Sequence, residues 1–308
     1  MKYSFFSLPI KEWEVKQNQE VLGSIEKRYL KTSFPAVQLA NRKMLLISNL
    51  SFSYSSVPGH LFRIYKRLSS HELFAKLWDN QIKEEDKRLL KNINLSLASG
   101  KFIAVVGRNG SGKSTIAKIV VNLLSNYEGQ VIWSGKELQT ISIKSFAQNV
   151  SYIPQSSIIY NDISLLDFIA IGFSPREGLL TKISQAEKER QIMHVLSELN
   201  LQKEVKKSLY TLSGGNKQKA IIARSIIQGA KIIVLDEPLN FLDIKNKILV
   251  LEYLKSLQVK YGTTIVMIHH DLDQVKDYLD EVVVVDSGFL TNHIRLEGSP
   301  RGELLSNL

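Results

Sequence analysis

The sequence predicts an α/β fold with a central, mainly parallel sheet. Three short and almost wholly apolar runs support this prediction: "KIIVL" at 231–235, "TIVMI" at 264–268 and "VVVV" at 282–285. Apolar runs of this length, separated by amphipathic helical segments, are typical of parallel strands that are buried on both faces. In addition, the strand-like "FIAVV" at 102–106 leads through a glycine-rich loop into a helical segment, an order that suits such a sheet.

Strand-like alternation of apolar and polar residues begins earlier, at 44–54, and resumes at 93–107. Residues 57–88 interrupt it with apolar residues at helical spacing, which predicts an amphipathic helical insertion. Residues 1–43 are only weakly periodic, and the sequence assigns no role to this N-terminal extension.

Composition narrows the class of protein. The hydrophobic fraction of 44% and the charged fraction of 23% are those of a globular protein rather than a disordered one. The chain has no cysteine, which excludes disulfides and thiolate–metal sites. Because no apolar run reaches the roughly 20 residues needed to span a bilayer, and no signal-peptide core is present, we expect a soluble cytoplasmic protein. The net charge of +10 favours nucleotides, polyanions or anionic membrane surfaces without choosing among them.

The stretch "GRNGSGKST" at 107–115 matches the pattern G-x-x-x-x-G-K-[ST] in the strand–loop–helix context that this pattern requires. Its glycines allow successive backbone N–H groups to point into one concavity, and the following helix presents its positive N-terminus to phosphate. Lys113 would reach the β- and γ-phosphates, and the Ser114 hydroxyl would coordinate Mg²⁺. We therefore predict a nucleoside triphosphate site formed by Gly107, Arg108, Asn109, Gly110, Ser111, Gly112, Lys113, Ser114 and Thr115.

The predicted strand in "KIIVLDEP" at 231–238 ends in two adjacent carboxylates. The carboxyl ends of parallel strands are where α/β sheets bind their ligands. Asp236 would hold the Mg²⁺, directly or through water, and Glu237 could act as the general base that polarises the attacking water. The presence of both carboxylates favours hydrolysis of the nucleotide over binding alone.

The stretch "LSGGNKQK" at 212–219 resembles the signature motif of ATP-binding cassette (ABC) ATPases, and it lies between the phosphate loop and the acidic strand as in that family. Three further motifs occur along the chain in the family's order. They are "YIPQSS" at 152–157, which resembles the Q-loop, "LNFLD" at 239–243, which resembles the D-loop, and "MIHHDL" at 267–272, which resembles the switch region.

The resemblance covers about residues 44–300 and implies a P-loop ABC ATPase domain. Besides the parallel sheet, this domain would contain an antiparallel β subdomain and a helical subdomain at 157–212, and a short tail at 301–308 would follow it. ATP and Mg²⁺ are the implied cofactors.

The resemblance also implies roles for single residues. Gln155 would reach the Mg²⁺ and the attacking water, and His270 would contact the γ-phosphate, with His269 only as its neighbour. Tyr54 resembles the aromatic residue that stacks on adenine, a role that Tyr65 or Trp78 of the insertion could also take.

Residues of the signature would act on a second copy of the chain. The resemblance implies that Ser213, Gly214 and Gly215 hold the γ-phosphate of ATP bound to that copy, with Asp243 in the same site. Two composite sites would then form in a head-to-tail dimer. A serine that caps a glycine-rich helix start is itself suited to binding phosphate.

The stretch "YNDISLLDFIAIGFSP" at 160–175 resembles the corresponding segment of importers for iron siderophores, haem and cobalamin. This branch implies a membrane permease on another chain, an extracytoplasmic substrate-binding protein and a peripheral position on the cytoplasmic face of the membrane. No nucleic acid is expected as a partner. Two residues depart from the family pattern: Phe173 replaces an arginine, and Asn216 replaces a glutamine.

Other functions stay open at this point. The chain could serve an ABC exporter or an importer of another substrate. A soluble ABC protein acting on ribosomes or nucleic acid is disfavoured, because there is one cassette and only about sixty residues separate Gln155 from Ser213. A nucleotide sensor without hydrolysis is disfavoured by the joint presence of Lys113, Asp236, Glu237 and His270.

Overall fold

The computed structural model describes residues 43–54, 88–155, 163–178 and 182–296, and their regular elements form two sheets and a set of covering helices. The strands are β1 (Lys43–Phe52), β2 (Leu90–Ala98), β3 (Phe102–Val106), β4 (Glu128–Trp133), β5 (Lys136–Glu137), β6 (Val150–Ile153), β7 (Ile232–Asp236), β8 (Thr264–Ile268), β9 (Glu281–Asp286) and β10 (Phe289–Arg295). The helices are α1 (Lys113–Val120), α2 (Ile143–Asn149), α3 (Leu165–Ala170), α4 (Gln185–Glu198), α5 (Gly214–Ile227) and α6 (Ile244–Tyr261).

The larger sheet has the strand order β10-β9-β3-β8-β7-β6. Its β6–β7, β7–β8, β8–β3 and β3–β9 pairs are parallel, and only β10 runs antiparallel to its neighbour β9. Every residue of β3, β7 and β8 is buried, as a strand covered on both faces requires. The predicted α/β fold with a mainly parallel sheet is confirmed.

The smaller sheet is antiparallel, with the order β2-β1-β4-β5. Buried and accessible residues alternate along β2, as expected of a strand with one face on the core. The antiparallel β subdomain implied by the resemblance is therefore present, and its first strand begins one residue before the predicted alternation, at Lys43.

Two hydrophobic cores lie on opposite faces of the parallel sheet, because successive side chains of a strand point in opposite directions. Ile103 and Val105 of β3 face a core shared with the antiparallel sheet and α1. Phe102, Ala104 and Val106 of the same strand face a second core, shared with α3, α4, α5 and α6.

The described part of the predicted helical subdomain packs into this second core. Phe173 lies in a 3-10 turn at Ile171–Arg176 and is fully buried, with the cationic groups of Arg176 and Lys188 5.4 and 5.7 Å from its ring centroid. An arginine at this position would bury its charge in an apolar core, so the departure at Phe173 is consistent with its surroundings.

The side chain of Gln228 connects these helices to the parallel sheet. Its Nε2 donates to the carbonyl oxygens of Ala147 and Val150 at 2.6 and 2.9 Å, and its Oε1 accepts a 2.8 Å hydrogen bond from the Ser151 hydroxyl. The end of α5 is therefore fixed to the start of β6.

Several predicted segments lie outside the described residues: 1–42, nearly all of the insertion at 57–88, and the tail at 301–308. None of the helices that the structure describes is both long enough and apolar enough to cross a membrane.

Candidate nucleotide site

The predicted phosphate loop joins β3 to α1, in the context that the sequence pattern requires. Gly107 and Gly112 have φ angles of 148° and 103°, which side chains rarely adopt. A Cβ at Gly107 would lie 1.9 Å from the Val285 carbonyl oxygen, and one at Gly112 would lie 2.4 Å from Leu90 Cδ2. These two positions therefore require glycine, and the backbone of the loop is held close to the sheet.

The side chain of Lys113 folds back onto the backbone of this loop. Its ammonium donates to the carbonyl oxygens of Gly107 and Arg108, both at 2.8 Å, and the residue is only 6% exposed. Burial lowers the pKa of Lys113, and the nearby charges of Glu237 and Asp236 oppose this shift. When a nucleotide binds, the Lys113 ammonium can replace these hydrogen bonds to carbonyl oxygens with hydrogen bonds to phosphate oxygens.

The other residues of the loop divide into an exposed tip and a buried base. Arg108, Asn109 and Gly110 are exposed, whereas Ser111 and Gly112 are buried. The Ser111 hydroxyl oxygen is a buried polar atom that has no hydrogen-bond partner among the residues that the structure describes. Such an orphaned group fits a loop that binds an anion, because a ligand oxygen would satisfy it.

Ser114 and Asp236 form a cluster of oxygen ligands beside the loop. The Ser114 hydroxyl donates to Asp236 Oδ1 at 2.9 Å, and the Tyr152 hydroxyl lies 3.5 Å from Asp236 Oδ2. Asp236 is 1% exposed, and this burial raises the pKa of its carboxyl despite the hydrogen bond from Ser114. A hydroxyl and a carboxylate are ligands that suit Mg²⁺.

Glu237 follows β7 in a left-handed conformation, with φ at 51°. Its Oε2 lies 3.1 Å from Nδ1 of His269 and 2.8 Å from Nδ1 of His270. Burial by itself would raise the pKa of Glu237, but the hydrogen bonds from the two histidines outweigh it and lower the pKa. Glu237 is therefore held as a carboxylate beside the proposed Mg²⁺ ligands.

His269 contacts the proposed base as well as neighbouring His270, whereas the contact of His270 rather than His269 with the γ-phosphate stays a prediction. His269 is 1% exposed and contacts the same carboxylate oxygen as His270, whose side chain is 50% exposed. The register of the sheet explains this contact. Asp236 of β7 pairs with Ile268 of β8, so the residues that follow them, Glu237 and His269, lie side by side. The contact of Tyr152 with Asp236 was not predicted from the sequence. Tyr152 lies in β6, which pairs with β7, the strand that ends at Asp236.

Tyr54 and Gln155 lie at the margins of the phosphate loop. The Tyr54 hydroxyl is 3.2 Å from Thr115 Oγ1 in α1, and its ring meets Phe52 edge-on at 4.9 Å. Gln155 is exposed just after β6, at the same edge of the sheet as Asp236. Both positions allow contact with a nucleotide, and their roles stay predictions. Tyr65 and Trp78 lie outside the described residues.

The signature residues form a second cluster. The Ser213 hydroxyl accepts a hydrogen bond from the Asn216 backbone N–H at 3.3 Å and so caps α5, as its sequence position predicts. An added Cβ at Gly215 would approach the Phe241 carbonyl oxygen to 3.2 Å, so the signature lies against the D-loop. The signature, which was predicted to act on the nucleotide of a second copy, thus packs against the D-loop of its own chain.

Asp243, in the D-loop, is the N-cap residue of α6. Its Oδ1 accepts the Asn246 backbone N–H at 2.8 Å and caps α6. That backbone hydrogen bond lowers the pKa of Asp243. A direct contact between Asp243 and nucleotide stays a prediction.

Comparison with known proteins identifies the family. A family profile described as ABC transporter matches residues 90–240. The chain is 32% identical over 201 residues to the petrobactin import ATP-binding protein FpuC of Bacillus anthracis, which covers 65% of this chain and 74% of the relative. It is also 32% identical over 204 residues to the manganese transport system ATP-binding protein MntB of Listeria monocytogenes, covering 66% and 82% of the two chains.

Solved structures of low sequence identity share the fold. A dimeric bacterial ABC transporter cassette superposes with a TM-score of 0.68 at 21% identity, covering 83% of this chain and all of that one. The cbiO1 protein of Clostridium perfringens superposes with a TM-score of 0.65 at 21% identity, covering 86% and 91%. With the phosphate loop and acidic strand end in place, the chain belongs to the ABC transporter family as an ATP-binding, ATP-hydrolysing subunit.

Proposed function

We propose that this ATPase drives import of an iron chelate or a related metal-containing substrate through a membrane permease on a separate chain. The observation that supports this assignment is the set of relatives. Besides the petrobactin and manganese proteins, an iron(3+)-hydroxamate import ATP-binding protein of Bacillus subtilis is 28% identical over 203 residues. These three relatives are named for import of petrobactin, transport of manganese and import of an iron(3+)-hydroxamate.

Within the chain, the phosphate loop binds the triphosphate of ATP, with Lys113 on the β- and γ-phosphates. Ser114 and Asp236 hold Mg²⁺, which when bound neutralises phosphate charge, and Gln155 lies at the same edge of the sheet. Glu237 accepts a proton from the attacking water. Tyr54 stacks on the adenine.

The signature serves the ATP of a second copy. Ser213, Gly214 and Gly215 start α5 with backbone N–H groups available to an anion, which a helix N-terminus favours. In a head-to-tail dimer they face the γ-phosphate bound at the partner's phosphate loop, with His270 and Asp243 at the same junction. ATP therefore closes the dimer, and hydrolysis with product release opens it.

The permease places the ATPase on the cytoplasmic face of the membrane, and an extracytoplasmic substrate-binding protein delivers the cargo. The described helical segment at 163–178 and 182–212 is the surface that receives the permease. Nucleic acid has no part in this cycle.

The first test is the variant Glu237→Gln. Because a general base contributes about 100-fold or more, we expect ATP turnover to fall by at least that factor while ATP still binds. Phosphate release and binding of a fluorescent ATP analogue measure the two effects. Unchanged turnover would show that Glu237 is not the base.

The cargo and direction of transport need the assembled transporter. The ATPase and the permease encoded with it are reconstituted into proteoliposomes, and uptake of a radioactive iron chelate is measured with ATP on the ATPase side. Movement of the chelate toward the ATPase side supports import, whereas movement away from it would show an exporter.

A further inference from the structure

Among the described residues, the side chains of Glu237, His269 and His270 form the one group that could hold a metal ion. We propose that this group is a second cation site, which binds a first-row transition metal such as Zn²⁺. A metal ion bound there blocks ATP hydrolysis. The candidate ligand atoms, one ring nitrogen of each histidine and one carboxylate oxygen, all lie within 4.8 Å of one another. No step of the proposed ATPase cycle uses these atoms as metal ligands.

The chemistry of the ligands separates this site from the Mg²⁺ site beside it. Ser114 and Asp236 offer only oxygen, which Mg²⁺ prefers. Two imidazole nitrogens with one carboxylate make a set that binds Zn²⁺ and leaves a fourth position open. The two neighbouring sites therefore select different cations, and excess Mg²⁺ does not fill the second one.

The two contacts of Glu237 with the histidines require only a small expansion to hold a zinc ion. Tetrahedral zinc with bonds of about 2.0–2.1 Å places its ligands about 3.3–3.5 Å apart. Glu237 Oε2 lies 3.1 Å from Nδ1 of His269 and 2.8 Å from Nδ1 of His270. Glu237 and His269 are buried and fix two of the ligands, whereas the half-exposed side chain of His270 can move outward and admit the ion.

Occupation of this site removes the proposed base. A metal ion on Oε2 takes the lone pairs with which Glu237 would accept the proton of the attacking water. ATP binding depends mainly on Lys113 and the backbone of the phosphate loop, and His270 is the only one of the three ligands with a predicted phosphate contact. We therefore expect the ion to block turnover far more than nucleotide binding. If the cargo is a metal or a metal chelate, as proposed above, metal on the ATPase side of the membrane slows its own import.

The inhibitory half of this inference rests on the proposed role of Glu237, whereas the binding half does not. Binding is therefore measured first, by calorimetric titration of the nucleotide-free full chain with Zn²⁺ in excess Mg²⁺. We expect about one zinc ion per chain at this site, and a tetrahedral Co²⁺ absorption spectrum when Co²⁺ replaces zinc.

Three variants identify the ligands. His270→Ala changes a half-exposed residue and is expected to fold normally, and His269→Gln preserves most of the side-chain volume in the buried position. Each should weaken zinc binding at this site by about tenfold or more, as should Glu237→Gln. The matched control is His293→Ala, which removes a histidine paired with a single buried glutamate, Glu281, and should leave binding unchanged. Zinc binding that is identical in wild type and His270→Ala would overturn the proposal.

Inhibition is tested by phosphate release at saturating Mg²⁺-ATP with increasing free Zn²⁺. We expect wild-type turnover to fall with the same midpoint as zinc binding, while a fluorescent ATP analogue stays bound. Zinc that binds at the three ligands without slowing turnover would overturn the regulatory part. Failure of the proposed function gives a different result, because Glu237→Gln would then hydrolyse ATP normally without any zinc.

Discussion

At the scale of single residues, the two carboxylates that end β7 have opposite properties. Burial raises the pKa of Asp236, whereas hydrogen bonds from His269 and His270 lower that of Glu237. Adjacent acids with diverging pKa values are a feature of catalytic sites. Asp236 thus keeps a charge that the nucleotide-free fold disfavours, and Mg²⁺ would compensate for it.

The free-energy cost of burying the Asp236 charge leads to a prediction for Asp236→Asn. The amide keeps the hydrogen bond with Ser114 but removes a buried charge, so the nucleotide-free protein should melt about 2–4 °C higher at pH 8, which corresponds to about 1 kcal/mol. Mg²⁺-dependent ATP hydrolysis should be lost. Thermal melts monitored by circular dichroism and phosphate release measure the two effects.

The pH dependence provides the control for Asp236→Asn. Because the pKa of Asp236 is raised in the folded state, lowering the pH protonates this carboxyl in the wild type and removes the cost of its charge. The difference in melting temperature should therefore shrink as the pH falls through that raised pKa. A difference that is constant between pH 8 and the acid range would argue against a buried charge as its cause.

At the scale of elements, the phosphate loop depends on a close approach between its backbone and the end of β9. The Cβ of Gly107→Ala would overlap the Val285 carbonyl oxygen, so we expect a loss of about 3 kcal/mol or more in stability and loss of ATP binding. Gly135→Ala is the matched control, because Gly135 also has a positive φ, 81°, but none of the described residues has an atom within 4 Å of the added Cβ. Urea unfolding and nucleotide binding should distinguish the variants. Equal losses in both would show that the φ angle alone, not the contact with Val285, is responsible.

The regular elements could be predicted from the sequence because each depends on a local pattern. The apolar runs in β7, β8 and β9 and the glycine-rich loop before α1 each lie within a few residues. The cluster of Glu237, His269 and His270 could not be predicted in this way, since it depends on the register that pairs Asp236 with Ile268. Burial of Phe173 was equally unpredictable, because a single aromatic residue in a helical segment does not show which core it enters.

At the scale of the whole molecule, we propose that each ATP is shared between two copies, with the phosphate loop on one copy and the signature on the other. The variant Ser213→Arg places bulk and charge at the start of α5. In the Glu237→Gln background we expect ATP to produce a dimer, and the added Ser213→Arg change to prevent it while one ATP still binds to each monomer. Size-exclusion chromatography with light scattering measures the mass.

Ser184→Arg is the control for the dimerisation experiment. Ser184 caps α4 with the same kind of hydrogen bond, in which its hydroxyl oxygen accepts from the backbone N–H of Glu187, three residues on. If both arginine variants abolished the dimer, loss of a helix cap rather than loss of the signature would explain the result.

The hydrogen bonds of Gln228 fix the C-terminal end of α5 to β6, and we expect a tilt of α5 to turn about this end. The 14 residues of this helix span about 21 Å, from the Ser213 cap to the pivot at Gln228 beside β6. A tilt of about 10° around that pivot would sweep the signature sideways by about 4 Å, while the hydrogen bonds at Gln228 change little. The displacement exceeds the length of a hydrogen bond, so in the dimer that we propose a small rotation of the helical segment would be enough to engage or release the nucleotide of the other copy.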